Sequence, residues 1–138
     1  MAHKKKECFT FLKGQKMVSG KIGEEPDCYL FGFVFSNYEL IVHCPWRIRH
    51  ANKILMGSDD LKASKITYRQ IYDLLRNKKI VNIYLNDELS SDLYIGFDGN
   101  IILELFQVSS WFEAWELREL RLDGHVITAL PGGELDEL

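Results

Sequence analysis

His43, Cys44 and His50 are the residues of this chain whose types suit nucleophilic catalysis, because a cysteine becomes reactive when an imidazole takes its proton. The spacing works against that chemistry. Neighbouring side chains of an extended segment point to opposite faces, so His43 cannot serve Cys44 directly. Cys44 sits in an apolar run and reads as a small core residue. Zinc would need clustered Cys and His, and Cys8, Cys28, Cys44, His3, His43, His50 and His125 show no such spacing. Asp59 and Asp60 form a carboxylate pair without the alternating oxygen ligands of a calcium loop, and read as a turn cap. No Gly-x-Ser-x-Gly elbow and no phosphate-cradling glycine loop occurs. The expectation is a protein that is not an enzyme and uses no cofactor and no metal.

Charge is more informative. Residues 1–69 hold 12 Lys/Arg against 7 Asp/Glu, whereas residues 70–138 hold 5 against 13. An acidic half attracts basic surfaces and repels phosphate backbones. Within it, Trp111-Phe112-Glu113-Ala114-Trp115-Glu116-Leu117-Arg118-Glu119 runs on to Asp123 and sets aromatics beside carboxylates. Trp and Arg dominate interface hot spots, and surrounding carboxylates would speed association with a basic partner. The expected partner-binding residues are Trp111, Glu113, Glu116, Glu119 and Asp123, joined by Asp59 and Asp60. If Glu113–Asp123 is extended, Glu113, Trp115, Leu117 and Glu119 share one face, with Glu116, Arg118 and Leu120 on the other. Trp115 matches Trp46 in sequence context and reads equally as core.

Lys4, Lys5, Lys6, Lys13, Lys16 and Lys21 cluster early, but the net charge of −3 argues for a solvated tail and against nucleic-acid binding. The longest apolar stretch, Cys28–Phe35, is strand-sized, far below the roughly 18 residues of a membrane span. Glu7 and Lys13 interrupt the segment behind the N-terminal lysines, so no signal peptide is expected. Three widely spaced cysteines suit a reducing compartment. The expected location is cytoplasmic, with no membrane association.

These residues must be carried by a scaffold that the sequence writes twice. Leu12-Lys13-Gly14-Gln15-Lys16-Met17-Val18 returns 63 positions later as Leu75-Arg76-Asn77-Lys78-Lys79-Ile80-Val81. Strand-like segments follow in both copies: Lys16–Ile22, Cys28–Phe35 and Tyr38–Cys44 in the first, Lys79–Leu85, Leu93–Phe97 and Asn100–Val108 in the second. Ser36-Asn37 and Asp98-Gly99 supply hairpin turns. Trp46-Arg47-Ile48-Arg49 and Trp115-Glu116-Leu117-Arg118 then correspond at 69 positions, owing to an insertion around Ser109–Ala114. Lys53–Met56 and His125–Leu130 complete the two copies. One helix is expected near residues 67–77, opened by the capping box Thr67–Gln70 and carrying the stripe Ile71, Leu74, Leu75. A second, short helix is expected over Glu7–Leu12. The expected fold is mostly β, of α+β class. It has about ten strands in two pseudo-repeated antiparallel units, packed as a sandwich or flattened barrel. A single domain would span 1–138, with halves at about 8–60 and 71–135.

Several markers resemble a known group. Pro45-Trp46-Arg47-Ile48, Gly57-Ser58-Asp59-Asp60, Asp92–Gly99, Trp115-Glu116-Leu117 and Pro131-Gly132-Gly133 are similar to segments of small bacterial proteins, several of them immunity proteins of contact-dependent inhibition and polymorphic toxin systems. The resemblance implies a non-catalytic cytosolic protein that binds and neutralises a cognate toxin domain, often a nuclease with a basic cleft. The alternative expectation is a small-ligand binder or enzyme using a cavity between the two units, lined by His43, His50 and Arg47. A third is a module that oligomerises through an exposed strand edge.

Overall fold

The computed structural model describes residues 5–22 and 31–138. His3, Lys4 and the expected Cys28–Leu30 start of one strand lie outside the described residues. Twelve strands occur among the described residues: β1 (Lys5–Glu7), β2 (Met17–Ile22), β3 (Phe31–Phe35), β4 (Tyr38–Val42), β5 (Trp46–His50), β6 (Lys53–Gly57), β7 (Ile80–Asn86), β8 (Leu93–Phe97), β9 (Ile101–Leu105), β10 (Trp115–Glu119), β11 (Val126–Ala129) and β12 (Leu135–Glu137). Helices α1 (Ser58–Lys62) and α2 (Tyr68–Leu75) lie between β6 and β7. The fold is mostly β: two open antiparallel sheets, ordered β1-β7-β8-β9-β5-β6 and β12-β11-β10-β4-β3-β2, pack face to face.

The halves do not each build a sheet. β2, β3 and β4 of the first half continue into β10 and β11 of the second, while β7, β8 and β9 continue into β5 and β6. Matching registers accompany this exchange. Trp46 pairs with Leu105 and Trp115 with Val42, which are corresponding positions in the two copies. β2 and β7 bulge at the same place, between Met17 and Ser19 and between Ile80 and Asn82. Corresponding backbone bonds link the repeats: Gly14 N–H donates to the Ile80 carbonyl (2.8 Å), and Asn77 N–H to that of Met17 (2.9 Å). Gly14 and Asn77 share a left-handed backbone, φ 84° and 66°, which glycine and asparagine tolerate best. Phe35 and Phe97 stack with ring centroids 6.4 Å apart. The two halves are thus related by an approximate two-fold rotation.

Alternation of apolar residues fills the space between the sheets. Phe33, Phe35, Leu40, Val42, Ile48, Leu103, Leu105, Trp115 and Leu117 are all buried in one cluster. The Trp115 indole N–H, which must find an acceptor when buried, donates to the Ser91 carbonyl at 2.7 Å. α2 begins as its capping box predicts: the Thr67 hydroxyl accepts from Gln70 N–H, and the Gln70 side chain accepts from Thr67 N–H at 2.8 Å. It buries Ile71, Tyr72 and Leu75, and lays the Tyr72 ring over Gly20, where a Cβ would come within 2.2 Å of the ring.

Some elements differ from expectation. Residues 7–12 do not form a helix: β1 pairs with β7, and only Thr10–Leu12 coil into a single 3-10 turn. Pairing with the edge of β7 supplies partners for backbone groups that a six-residue helix would leave exposed. Asp59 and Asp60 lie in the first turn of α1, not in a loop. β9 stops at Leu105: Phe106 N–H still donates to the Pro45 carbonyl opposite it (3.0 Å), but Pro45 has no N–H to return the bond, and the ladder ends there. β12 adds a further strand after the Pro131–Gly133 turn.

Candidate docking site at the sheet-crossing end

Of the three connections that carry the chain between the sheets, the two later in sequence meet at one end of the sandwich. His43-Cys44-Pro45 joins β4 to β5, and 106–114 joins β9 to β10. Corresponding bonds tie them together, His43 N–H to the Ala114 carbonyl (2.8 Å) and Phe106 N–H to the Pro45 carbonyl (3.0 Å). The first of these two crossings takes three residues and the second nine, so the inserted segment stands out from an otherwise matched scaffold.

Gln107 organises that segment. It is buried, and its amide N–H groups donate to the carbonyls of Phe112 (3.0 Å) and Leu130 (2.8 Å) while its carbonyl accepts from Ser109 N–H (2.8 Å). The Ser109 hydroxyl accepts from Trp111 N–H and Phe112 N–H, both at 3.0 Å. Gly132 N–H reaches the Ser109 carbonyl at 2.9 Å. At the base, Gln107 N–H donates to the Asp92 carboxylate (2.8 Å). Burial pushes the Asp92 carboxyl up, an effect that this bond partly offsets. The loop is therefore held by side chains where no ladder is available. What it holds out is apolar: Trp111 is 84 % exposed, Phe112 75 % and Val108 70 %.

Two adjoining depressions flank the loop and share His43. One, of about 460 Å³, is lined by His43, Trp111, Phe112, Glu113 and Pro131. The other, of about 420 Å³, is lined by His43, Cys44, Pro45, Trp46, Ser58, Leu61 and Lys62. Burial pushes the Cys44 thiol up to about 12, which leaves it protonated and a poor nucleophile at neutral pH. The Ser58 hydroxyl is engaged by Trp46 N–H at 3.2 Å. Arg47 and His50 line neither depression: Arg47 is bound to Glu104 at 2.9 Å, and His50 is exposed. Among the described residues no group of His, Cys, Asp and Glu is placed to hold a metal ion, and no helix is long and apolar enough to cross a membrane.

The acidic residues singled out in the sequence are not gathered on one face. Trp111 and Glu113 come together beside His43. Glu116 points outward from β10 and is paired with Arg118 at 2.7 Å. Glu119 lies at the far end of that strand, where its carboxylate accepts from His125 N–H (3.0 Å) and pairs with Arg121 (2.9 Å). Those two contacts hold it below the usual carboxylate range. Asp123 occupies the following turn with φ 57°, so it and Glu113 sit at opposite ends of β10. Asp60 spends its carboxylate on Gly57 N–H (2.8 Å); Asp59 is exposed on the helix whose Ser58 and Leu61 line the second depression. Trp115 is fully buried. Two exposed apolar residues are not singled out by sequence: Val108 ends the apolar run that reads as a strand over Asn100–Val108, and Phe112 stands beside Trp111 in the aromatic–acidic run without being marked as a contact. For Phe112 the signal is the insertion around Ser109–Ala114, which breaks the repeat where it lies.

A comparison of the chain with protein-family models, curated proteins and solved structures finds no match.

Proposed function

We propose that the chain is a non-enzymatic binding protein of the immunity or inhibitor type, and that the Trp111–Phe112 loop is the part that grips its partner. The observation that carries this reading is the pairing of two almost fully exposed aromatic side chains with a loop fixed by side-chain hydrogen bonds. Exposed aromatics oppose solubility, and a rigid loop loses little entropy on binding, so the arrangement favours tight association over folding. Glu113 beside the aromatic pair, and the acidic balance of residues 70–138, favour a basic partner surface such as a nuclease toxin domain. Glu116 and Glu119 contribute less than their position in the sequence suggests, since each already faces an arginine. The protonated Cys44 thiol and the engaged Ser58 hydroxyl weigh against a catalytic use of the neighbouring depression.

The test is co-expression with the C-terminal domain of any large secreted protein encoded beside the gene, followed by calorimetry on the purified pair. Replacing Trp111 and Phe112 together by alanine is expected to weaken binding at least thirtyfold, about 2 kcal/mol or more, with thermal stability unchanged. Glu113→Lys is expected to cost tenfold and Glu116→Lys less. Full affinity in the folded double variant would remove the loop from the interface. Failure of the chain to protect cells from the domain would remove the inhibitor reading.

A further inference from the structure

β6 is the outermost strand of its sheet, and its outer edge is bare. The other sheet ends are β1 on β7, the short acidic β12 on β11, and β2, which carries α2 against it. Along β6, Ile54 is 56 % exposed and Leu55 38 %. Among the described residues its backbone makes no main-chain bond beyond its ladder with β5, and only Gly57 N–H is taken elsewhere, by Asp60. A row of unused donors and acceptors beside apolar side chains is a template for one more strand.

The approximate two-fold relation indicates what that strand looks like. β6 corresponds to β11, and β11 does carry an outer neighbour: β12 pairs antiparallel with it through Ile127–Glu137, Thr128–Asp136 and Ala129–Leu135. The internal occupant is thus a short extended segment of apolar residues and carboxylates. The charge around β6 asks for the same chemistry. Arg47 and Arg49 of β5 are taken by Glu104, which leaves Lys53, Lys62 and Lys65 against Asp59 and Asp60 in residues 50–65. Asp60 is committed to Gly57, so the edge is flanked by cations. A second copy of β6 would bring its own Lys53, Lys62 and Lys65 to face these. The bulge between Ile48 and Arg49, which leaves Leu55 without a partner on β5, further disfavours indiscriminate edge-to-edge pairing.

We propose that the β6 edge receives an extended acidic segment of a partner protein as an added antiparallel strand. The main chain supplies the attachment. Lys53 and Lys62 select acidic over basic segments, and Ile54 and Leu55 receive the apolar positions. The proposal is independent of the Trp111–Phe112 reading, because it involves the β6 edge and the opposite charge; of its residues only Lys62 also lines a depression beside that loop.

A synthetic hexapeptide Gly-Glu-Leu-Asp-Glu-Leu is the probe, titrated into the isotopically labelled full chain and followed by amide NMR and hydrogen exchange. The expected result is chemical-shift change centred on 53–57, with at least tenfold slower exchange there. A peptide carrying lysine in place of its acidic residues is expected not to bind, and the K53E/K62E variant to bind the acidic peptide at least tenfold more weakly. Absence of shifts at millimolar peptide would overturn the proposal. So would shifts confined to 126–129, which would mean exchange with β12, or equal binding of both peptides. Protection of 53–57 without peptide, accompanied by a doubled mass in light scattering, would assign the edge to a second copy instead.

Discussion

Glu104 shows how much one side chain can organise on the outer face of a sheet. Its side chain is only 3 % exposed, yet it lies between Arg47 (2.9 Å) and Arg49 (2.6 Å), and the Arg47 guanidinium also rests 5.2 Å from the centre of the Phe106 ring. Burial pushes the Glu104 carboxyl up, but hydrogen bonds from Arg47 and Arg49, with their charges, outweigh it and hold it below the usual carboxylate range. A carboxyl whose folded pKa lies below its unfolded value stabilises the fold above about pH 4.3. That contribution disappears as pH falls through the depressed value. Glu104→Gln is therefore expected to lower stability at pH 7 by about 2 kcal/mol. It should also flatten the acid limb of a urea-denaturation series measured between pH 7 and 3. An unchanged acid limb would show that the two arginines do not depend on this carboxylate. The triad was not legible in sequence, because Glu104 sits in an apolar run and Arg47 lies 57 positions away. Only the register of β5 against β9, with Arg47 opposite Glu104, creates it.

At the scale of elements, local chemistry decided some features and distant contacts decided the rest. The α2 start at Thr67–Gln70 and the turn at Ser36-Asn37 follow from side-chain preferences within a few residues, and both were readable. β12 was not: two of its three residues are acidic, and pairing with β11 alone makes it a strand. β1 is not legible either: Lys5 and Lys6 read as a solvated tail and Glu7–Leu12 as a short helix, because the strand partner, β7, lies more than seventy residues on. Of the candidate site, Trp111 and Glu113 were readable from the acidic aromatic run, whereas the brace beneath them was not, because Gln107 looks like an ordinary polar residue until Phe112 and Leu130 converge on it. That brace has a measurable role. Gln107→Ala removes no residue from the proposed contact surface, so it should leave Trp111 exposed while speeding amide exchange across 109–113. Partner affinity should drop about tenfold through lost preorganisation, some 1.4 kcal/mol. Fast exchange with full affinity would mean that rigidity is irrelevant to binding.

For the whole molecule, the strand exchange makes the two halves mutually dependent. Each sheet takes three core strands from one half and two from the other, so neither half can close a sandwich by itself. Fragments divided within the exposed 63–65 segment are expected to be unfolded separately and to regain the β-sheet circular dichroism signal on mixing. A cooperative thermal transition in either fragment alone would contradict this. The two-fold relation also restricts what can stand where the halves meet, since there a residue faces its own counterpart. Phe35 and Phe97 meet this condition easily, because an aromatic ring is an acceptable neighbour for another ring. Lys16 and Lys79 do not: they oppose one another in an isolated antiparallel bridge, setting like charge against like. Lys16→Glu should turn that repulsion into attraction and raise stability by about 0.5 kcal/mol at low ionic strength, an increment that added salt erodes. A duplicated chain can keep a self-compatible residue at its joint indefinitely, but it can neutralise a charged one only by letting the copies become different.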